Sequence, residues 1–505
     1  MDTNYYDVVV YGPELSGLIA ATLLGRRGLR VLRAGHDMLP NTFQAGPYVL
    51  SREPGTLPPP DSEPVARILR ELGLSQIVRR RAPQEKPCIQ LVFSQHRVEL
   101  SAEADVLQSE LHREFPADRA EIESVLNRVR GISSTLDPLL GSDITLPPIG
   151  FWERRDVSRI EAQLPTIDAD TFSPLPSEHP LRVGVAALSA LNTGYAPLDI
   201  GPLAQARALD LARRGFHRLP AGVDLRELFQ SKLSTFSGES REGIVPSELV
   251  FRRSVLTGIR MRPRNETIGF GHLLWATSSS SLLSLCGNEV PRHLRDTATT
   301  LRPGCYRYML CLLMRPEGFP EGMGPRVIAI RDHAKTILED NAISITVGIA
   351  RERDTDQVPV WVECLVPSHA SENIGYLSVV RARLRKELSR LMPFFERHLF
   401  VLASPHDGLA PEFGQAHISS ARLPVGPVPP GALPASLSCD ATRMMGLAAA
   451  PHATGIKNLH LVNSENLPGL GREGEFISGW GAARILAHPS QRQVGKKREI
   501  LIEDI

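Results

Sequence analysis

The sequence predicts an α/β fold in which one domain, built from separated pieces of chain, is interleaved with a mixed α+β domain. Three observations predict it. The chain opens on an apolar strand, a glycine-containing turn and a helix; strands and helices of the same character return at 205–290; and the chain closes on a strand, a glycine-rich turn and a helix at 458–488.

The elements follow in order. DVVVY (7–11) is a short apolar run of strand length, LSGLIAATLLGRRG (15–28) has helical apolar spacing and stops at Gly28, and LRVLRA (29–34) is a second strand. REPGTLPPPDSEP (52–64) is too rich in proline for regular structure, and VARILRELGL (65–74) resumes as an amphipathic helix. IQLVFSQHRVEL reads as a hairpin, ADRAEIESVLNRVRGISSTLDPLL as a long helix and SPLPSEHPL as a loop. AQARALDLARRG (204–215) and the segment ending in LRELFQSKLSTF carry helices, while ELVFRRSVLTGIRMRP and GFGHLLWATSS read as strands. Residues 300–370 are strand-like, 376–395 helical and 423–435 a Pro/Gly/Ala-rich loop. The segment 491–505 reads as a mobile polar tail beyond the last helix. These blocks imply one domain from 1–75, 205–290 and 440–490, and a second from 76–204 and 291–439.

A length of 505 residues exceeds what one simple core accommodates, in keeping with two domains. The formal net charge of +1 gives no field to attract polyanions, so nucleic acid is not expected as a partner. The six cysteines show no CxxC pairing, which speaks against a zinc site or a disulfide framework and for a reducing, cytoplasmic setting. No stretch reaches membrane-span length. YRYMLCLLM (306–314) is apolar enough for peripheral membrane contact, although a buried strand is the simpler reading. His217, His272, His293 and His460 have no ligand spacing, so no metal is expected, and TSSSSLLS (277–284) lacks the elbow of a nucleophilic serine.

The N-terminal turn YGPELSG (11–17), the segment GFHRLPAGVDLRELF, the strand end LLWATSSSS and the closing block NLHLV....LPGLGREGEFISGWGAARIL together resemble the flavin-dependent oxidoreductases of the phytoene desaturase, carotenoid isomerase and amine oxidase type. The Rab GDP-dissociation inhibitors belong to the same superfamily. The resemblance implies a Rossmann-like FAD-binding domain interleaved with a substrate domain, an apolar substrate over the isoalloxazine, and cofactor-facing positions at Gly12, Glu14, Gly17, Gly35, Val255, Gly469, Gly471, Gly474 and Ser478.

The chain departs from that pattern where the nucleotide would lie. In G-x-G-x-x-G the second glycine lets the backbone approach the pyrophosphate, and here it is Glu14. Two like charges at about 4 Å and an effective dielectric of about 20 repel by about 4 kcal/mol, on the order of a thousandfold in affinity, an upper range that outward rotation or protonation of Glu14 reduces. The acidic residue expected at the end of the second strand is Gly35, with Asp37 two positions on, and the basic turn of the family is replaced by DMLPN. Asn463-Ser464 replaces the pair after the last strand, and Trp480 is placed to fill an empty cofactor cavity. The expectation is a degenerate FAD site on a non-catalytic protein that binds an apolar small molecule, a lipid or a protein partner. The alternative is an active FAD-dependent desaturase, isomerase or oxidase. On this reading, Glu14→Gly with Gly35→Glu restores flavin affinity.

Overall fold

The computed structural model describes residues 5–502 apart from 165–169, 221–224, 253–254, 287–290, 352–353, 371–372, 418–425, 440–443 and 448, with side chains described through 487. The opening strand β1 (Tyr5–Tyr11) buries Val8, Val9 and Val10, as a strand covered on both faces must. Helix α1 (Leu15–Arg26) is buried from Leu15 to Gly25 because it is sandwiched between the Leu225–Thr235 and Gly471–Ile502 helices. Strand β2 (Val31–Ala34) then pairs in parallel with β1, Val8 opposite Val31.

The first sheet has seven described strands in the order Val245–Arg252, Val255–Arg262, Glu266–Trp275, β1, β2, Glu239–Arg241, with Leu459–Leu461 paired to the far end of Glu266–Trp275. It therefore draws on the beginning, middle and end of the chain, as a fold with long insertions requires. The second sheet has nine described strands centred on Leu301–Met314, which pairs antiparallel with Val358–Pro367. The 306–314 run is the core of this sheet: Tyr308, Leu310, Leu312 and Met314 pack beneath the Ile374–Leu391 helix. Burial of this run removes it as a membrane-contact patch.

The hairpin, the long helix and the 202–214 helix form as the sequence indicates, at Ile89–Val92 with Arg97–Leu100, Arg119–Leu140 and Pro202–Arg214. Several boundaries differ, among them the helix read at 65–74, which runs Glu63–Glu71, and the ends of two later helices. The helix begun at Ile374 stops at Leu391, ahead of Pro393, whose ring restricts the residue before it. The last helix, in contrast, runs on to Ile502 through the segment read as a mobile tail, where Gln, Lys, Arg and Glu are good helix formers. Of the loop read at 423–435, residues 423–425 lie outside the described residues, as does 221–224 within the PAG turn.

A buried ionic cluster fixes the start of that helix. Arg207 is 1% exposed and donates to both oxygens of Glu473, at 2.9 and 2.7 Å, and to Asp137 at 2.8 Å. The Ser62 hydroxyl donates to Glu473 as well. The cluster ties together the Glu63–Glu71, Arg119–Leu140, Pro202–Arg214 and Gly471–Ile502 helices.

Candidate functional site

The turn between β1 and α1 is held from below by the end of the Glu266–Trp275 strand. Gly12 has φ 130°, and a Cβ there would run into the carbonyl of Ala276; a Cβ at Gly17 would meet the Ala276 side chain. Both glycines are therefore required by packing alone. Glu14 is half-buried, and its carboxyl turns toward the loop after the last strand, accepting the backbone N–H of Ser464 at 2.5 Å. Arg226 clamps the same turn, donating to the Pro13 carbonyl and to Glu53 at 2.8 Å. The position at which a dinucleotide fold opens its backbone to a phosphate is thus bridged by a side chain of the protein itself.

Of the two escapes open to Glu14, outward rotation and protonation, the structure favours protonation. Burial, with Glu475 and Glu465 adding like charge, pushes its carboxyl up to about 8, so at neutral pH it is mostly protonated. Electrostatic repulsion of a diphosphate is therefore weak, and the obstacle is the volume of the side chain and its bond to Ser464. A folded-state pKa above the unfolded value of about 4.3 means that Glu14's contribution is fully present below that pH and is lost as pH rises toward 8. Glu14→Gln keeps an acceptor for Ser464 and removes the titration. Thermal unfolding of the variant is accordingly expected to fall less than wild type between pH 5 and pH 8. Identical pH profiles would contradict the assignment.

The ribose position is closed in a different way. Gly35 is left-handed at φ 67°, and a Cβ there would lie 2.5 Å from the Tyr11 ring, which is itself packed at 4.8 Å on Trp275. An acidic residue cannot be restored at Gly35 without displacing Tyr11, so the Gly35→Glu exchange is expected to disturb this packing instead of restoring affinity. Asp37 does not take its place, because its carboxylate accepts the Gly243 N–H at 2.7 Å. Val255 stands apart from the turn: it is 44% exposed at the end of a hairpin, paired with Arg252. The strand beside β2 is Glu239–Arg241, so the residues that flank the turn on that side come from 239–243.

In the closing block, Gly469 and Gly471 face Tyr195 and the Asn192 carbonyl, and Gly474 faces the Leu467 carbonyl. Ser478 is buried and donates to Asn466 at 2.7 Å. Asn463 donates to the Thr277 carbonyl at 2.7 Å. These positions therefore bond within the protein. Trp480 does not fill a cofactor cavity. Gly479 is the residue pressed against α1, and one position further round the helix the Trp480 ring lies 3.6 Å under the Arg67 guanidinium, facing the Glu63–Glu71 helix.

Two cavities adjoin this region. One, of about 250 Å³, is lined by Arg52, Arg226, Arg307 and Arg472 together with Glu53, Glu363 and His406. The other, of about 290 Å³, is lined by Tyr48, Leu50, Leu219, Cys311, Leu313 and Trp361 among others. Asn41, Glu53 and Pro54 border both. Burial raises the Glu53 carboxyl, but Arg226 and Arg472 outweigh it and hold it down at about 2. Burial lowers His406 to about 4, leaving it neutral. None of the arginines sits in a spacing that marks a site in sequence; the fold alone gathers them. Among the described residues, no group of His, Cys, Asp or Glu is arranged to hold a metal ion, and no helix is long and apolar enough to cross a membrane.

The sequence matches no protein-family model and no curated protein. The structure does have counterparts. An oxidoreductase from Methanosarcina mazei superposes with a TM-score of 0.60 at 13% identity, over 94% of this chain and 98% of its own. Putrescine oxidase bound to putrescine gives 0.57 at 14%, over 97% and 99%. Cyclohexylamine oxidase from Brevibacterium oxydans gives 0.55 at 14%, over 96% and 99%. The chain thus has the Rossmann-like α/β fold of these oxidoreductases along nearly its whole length.

Proposed function

We propose that this protein is a binding member of that fold class, with a dinucleotide site closed by its own side chains and an apolar small molecule as its ligand. The observation that carries the reading is the Glu14 carboxyl seated on the Ser464 N–H, where the backbone would otherwise receive a phosphate. FAD does not fit the residues present: the pyrophosphate position carries a side chain, the ribose position cannot take an acid, and Asp37 is engaged elsewhere. Cavities of about 250 and 290 Å³ lie below the roughly 300–1,000 Å³ of drug-sized ligand sites, which suits a slender molecule better than a dinucleotide.

The competing reading is an FAD-dependent desaturase, isomerase or oxidase acting on an apolar substrate. It is favoured by the oxidases that share the fold and by a Glu14 too weakly charged to repel a diphosphate. The absorption spectrum of the purified protein separates the two. The binding reading expects no flavin bands, even after incubation with excess FAD and gel filtration; stoichiometric flavin would remove it.

A further inference from the structure

The two cavities lie along one face of the second sheet. Arg307, Met309, Cys311 and Leu313 alternate onto that face of their strand, and opposite them stand Leu365, Glu363, Trp361 and Pro359. The row is polar at one end and apolar at the other. Met309, Cys311, Leu313 and Trp361 pack with Phe43 and Leu50 of the hairpin Thr42–Ala45 and Tyr48–Ser51 that covers them. The Trp361 indole N–H fastens that hairpin to the sheet, donating to the Ser51 carbonyl at 2.9 Å.

The polar end holds more positive charge than it neutralises. Its lining has four guanidinium groups and two carboxylates, Glu53 and Glu363. Arg226 pairs with Glu53, and Arg472 pairs with Glu53 and with Glu475 at 2.9 Å. Arg307 donates to the carbonyls of Ala190, Leu191 and Thr193 at the end of the Pro180–Asn192 helix. Arg52 is different: its Nε and Nη1 are buried and have no hydrogen-bond partner, its ring contact being with Phe43 at 5.4 Å. A half-buried cation with no carboxylate of its own among the described residues favours an anion beside it.

We propose that this trough binds a slender apolar molecule ending in an oxyanion, its carboxylate or phosphate head on Arg52 and its hydrocarbon part along Met309, Cys311 and Trp361 toward Leu313. The inference rests on the binding reading above and names its ligand class. An oxyanion supplies the charge and the acceptors that the lining of four guanidinium groups and two carboxylates lacks, which a hydroxyl cannot do. The apolar chain follows a row already walled by side chains at each step of the strand.

The test is calorimetric titration of the purified, flavin-free protein with decanoate, decyl phosphate, decanol and decyltrimethylammonium, each below its micellar concentration. At least one of the two anions is expected to bind one per chain, at least tenfold more tightly than decanol, with no binding of the cation; the stronger anion identifies the head group. Arg52→Gln is expected to bring anion affinity down to that of decanol and leave decanol unchanged. Arg52→Lys, which keeps the charge without the fork, retains part of the preference and shows that the trough is still folded. Decanol binding as tightly as both anions, anion binding unaffected by Arg52→Gln, or no binding of either anion would each overturn the proposal. Bound flavin in the starting protein would remove the binding reading itself, a separate outcome.

Discussion

Arg207→Met is expected to destabilise the protein by about 3–5 kcal/mol, the range found when one partner of a buried ion pair is removed. Without the guanidinium, Glu473 keeps only the Ser62 hydroxyl among the contacts described above, at a site with no exposure to solvent. Asp210, 1% exposed, retains Arg213 and Arg214, and Asp137 retains Arg214. The loss therefore falls mainly on Glu473 and on the start of the last helix, which carries the glycines of the closing block. Urea unfolding at neutral pH measures it. Adding Glu473→Leu to Arg207→Met should recover a large part of the loss, because the stranded carboxylate is then gone. A single-variant effect below about 1 kcal/mol would mean that the cluster contributes little to holding the pieces together.

Gly12→Ala is expected to cost about 3 kcal/mol or more, from backbone strain added to overpacking. The residue combines φ 130° with a Cβ position occupied by the Ala276 carbonyl, and backbone cannot move aside as a side chain can. Gly28→Ala is the matched control. Gly28 also has positive φ, at 83°, yet nothing lies within 4 Å of its Cβ position, so only the strain of about 1–2 kcal/mol remains. Equal effects at the two positions would refute the packing role of the first glycine.

The sequence made the skeleton legible because its signals are local. Apolar runs of strand length, helical spacing stopped by glycine, and the turn YGPELSG each depend on residues close in the chain, and each appears where expected. The state of Glu14 was not legible in the same way. Its protonation depends on burial first, and then on Glu475, Ser464 and Glu465, brought to it from some 450 positions away by the last strand and helix. Trp480 was misplaced for a related reason: its ring meets Arg67, far away in the chain, a contact that no spacing rule announces. The arginine-lined cavity was invisible altogether, since Arg52, Arg226, Arg307 and Arg472 converge only through tertiary structure.

A crystal structure of the protein prepared and crystallised in excess FAD decides whether the dinucleotide turn is closed by Glu14. Glu14 is expected to accept the Ser464 N–H, with no nucleotide beside the turn from Gly12 to Gly17. A diphosphate bound against residue 14, with the carboxyl swung away from Ser464, would contradict it.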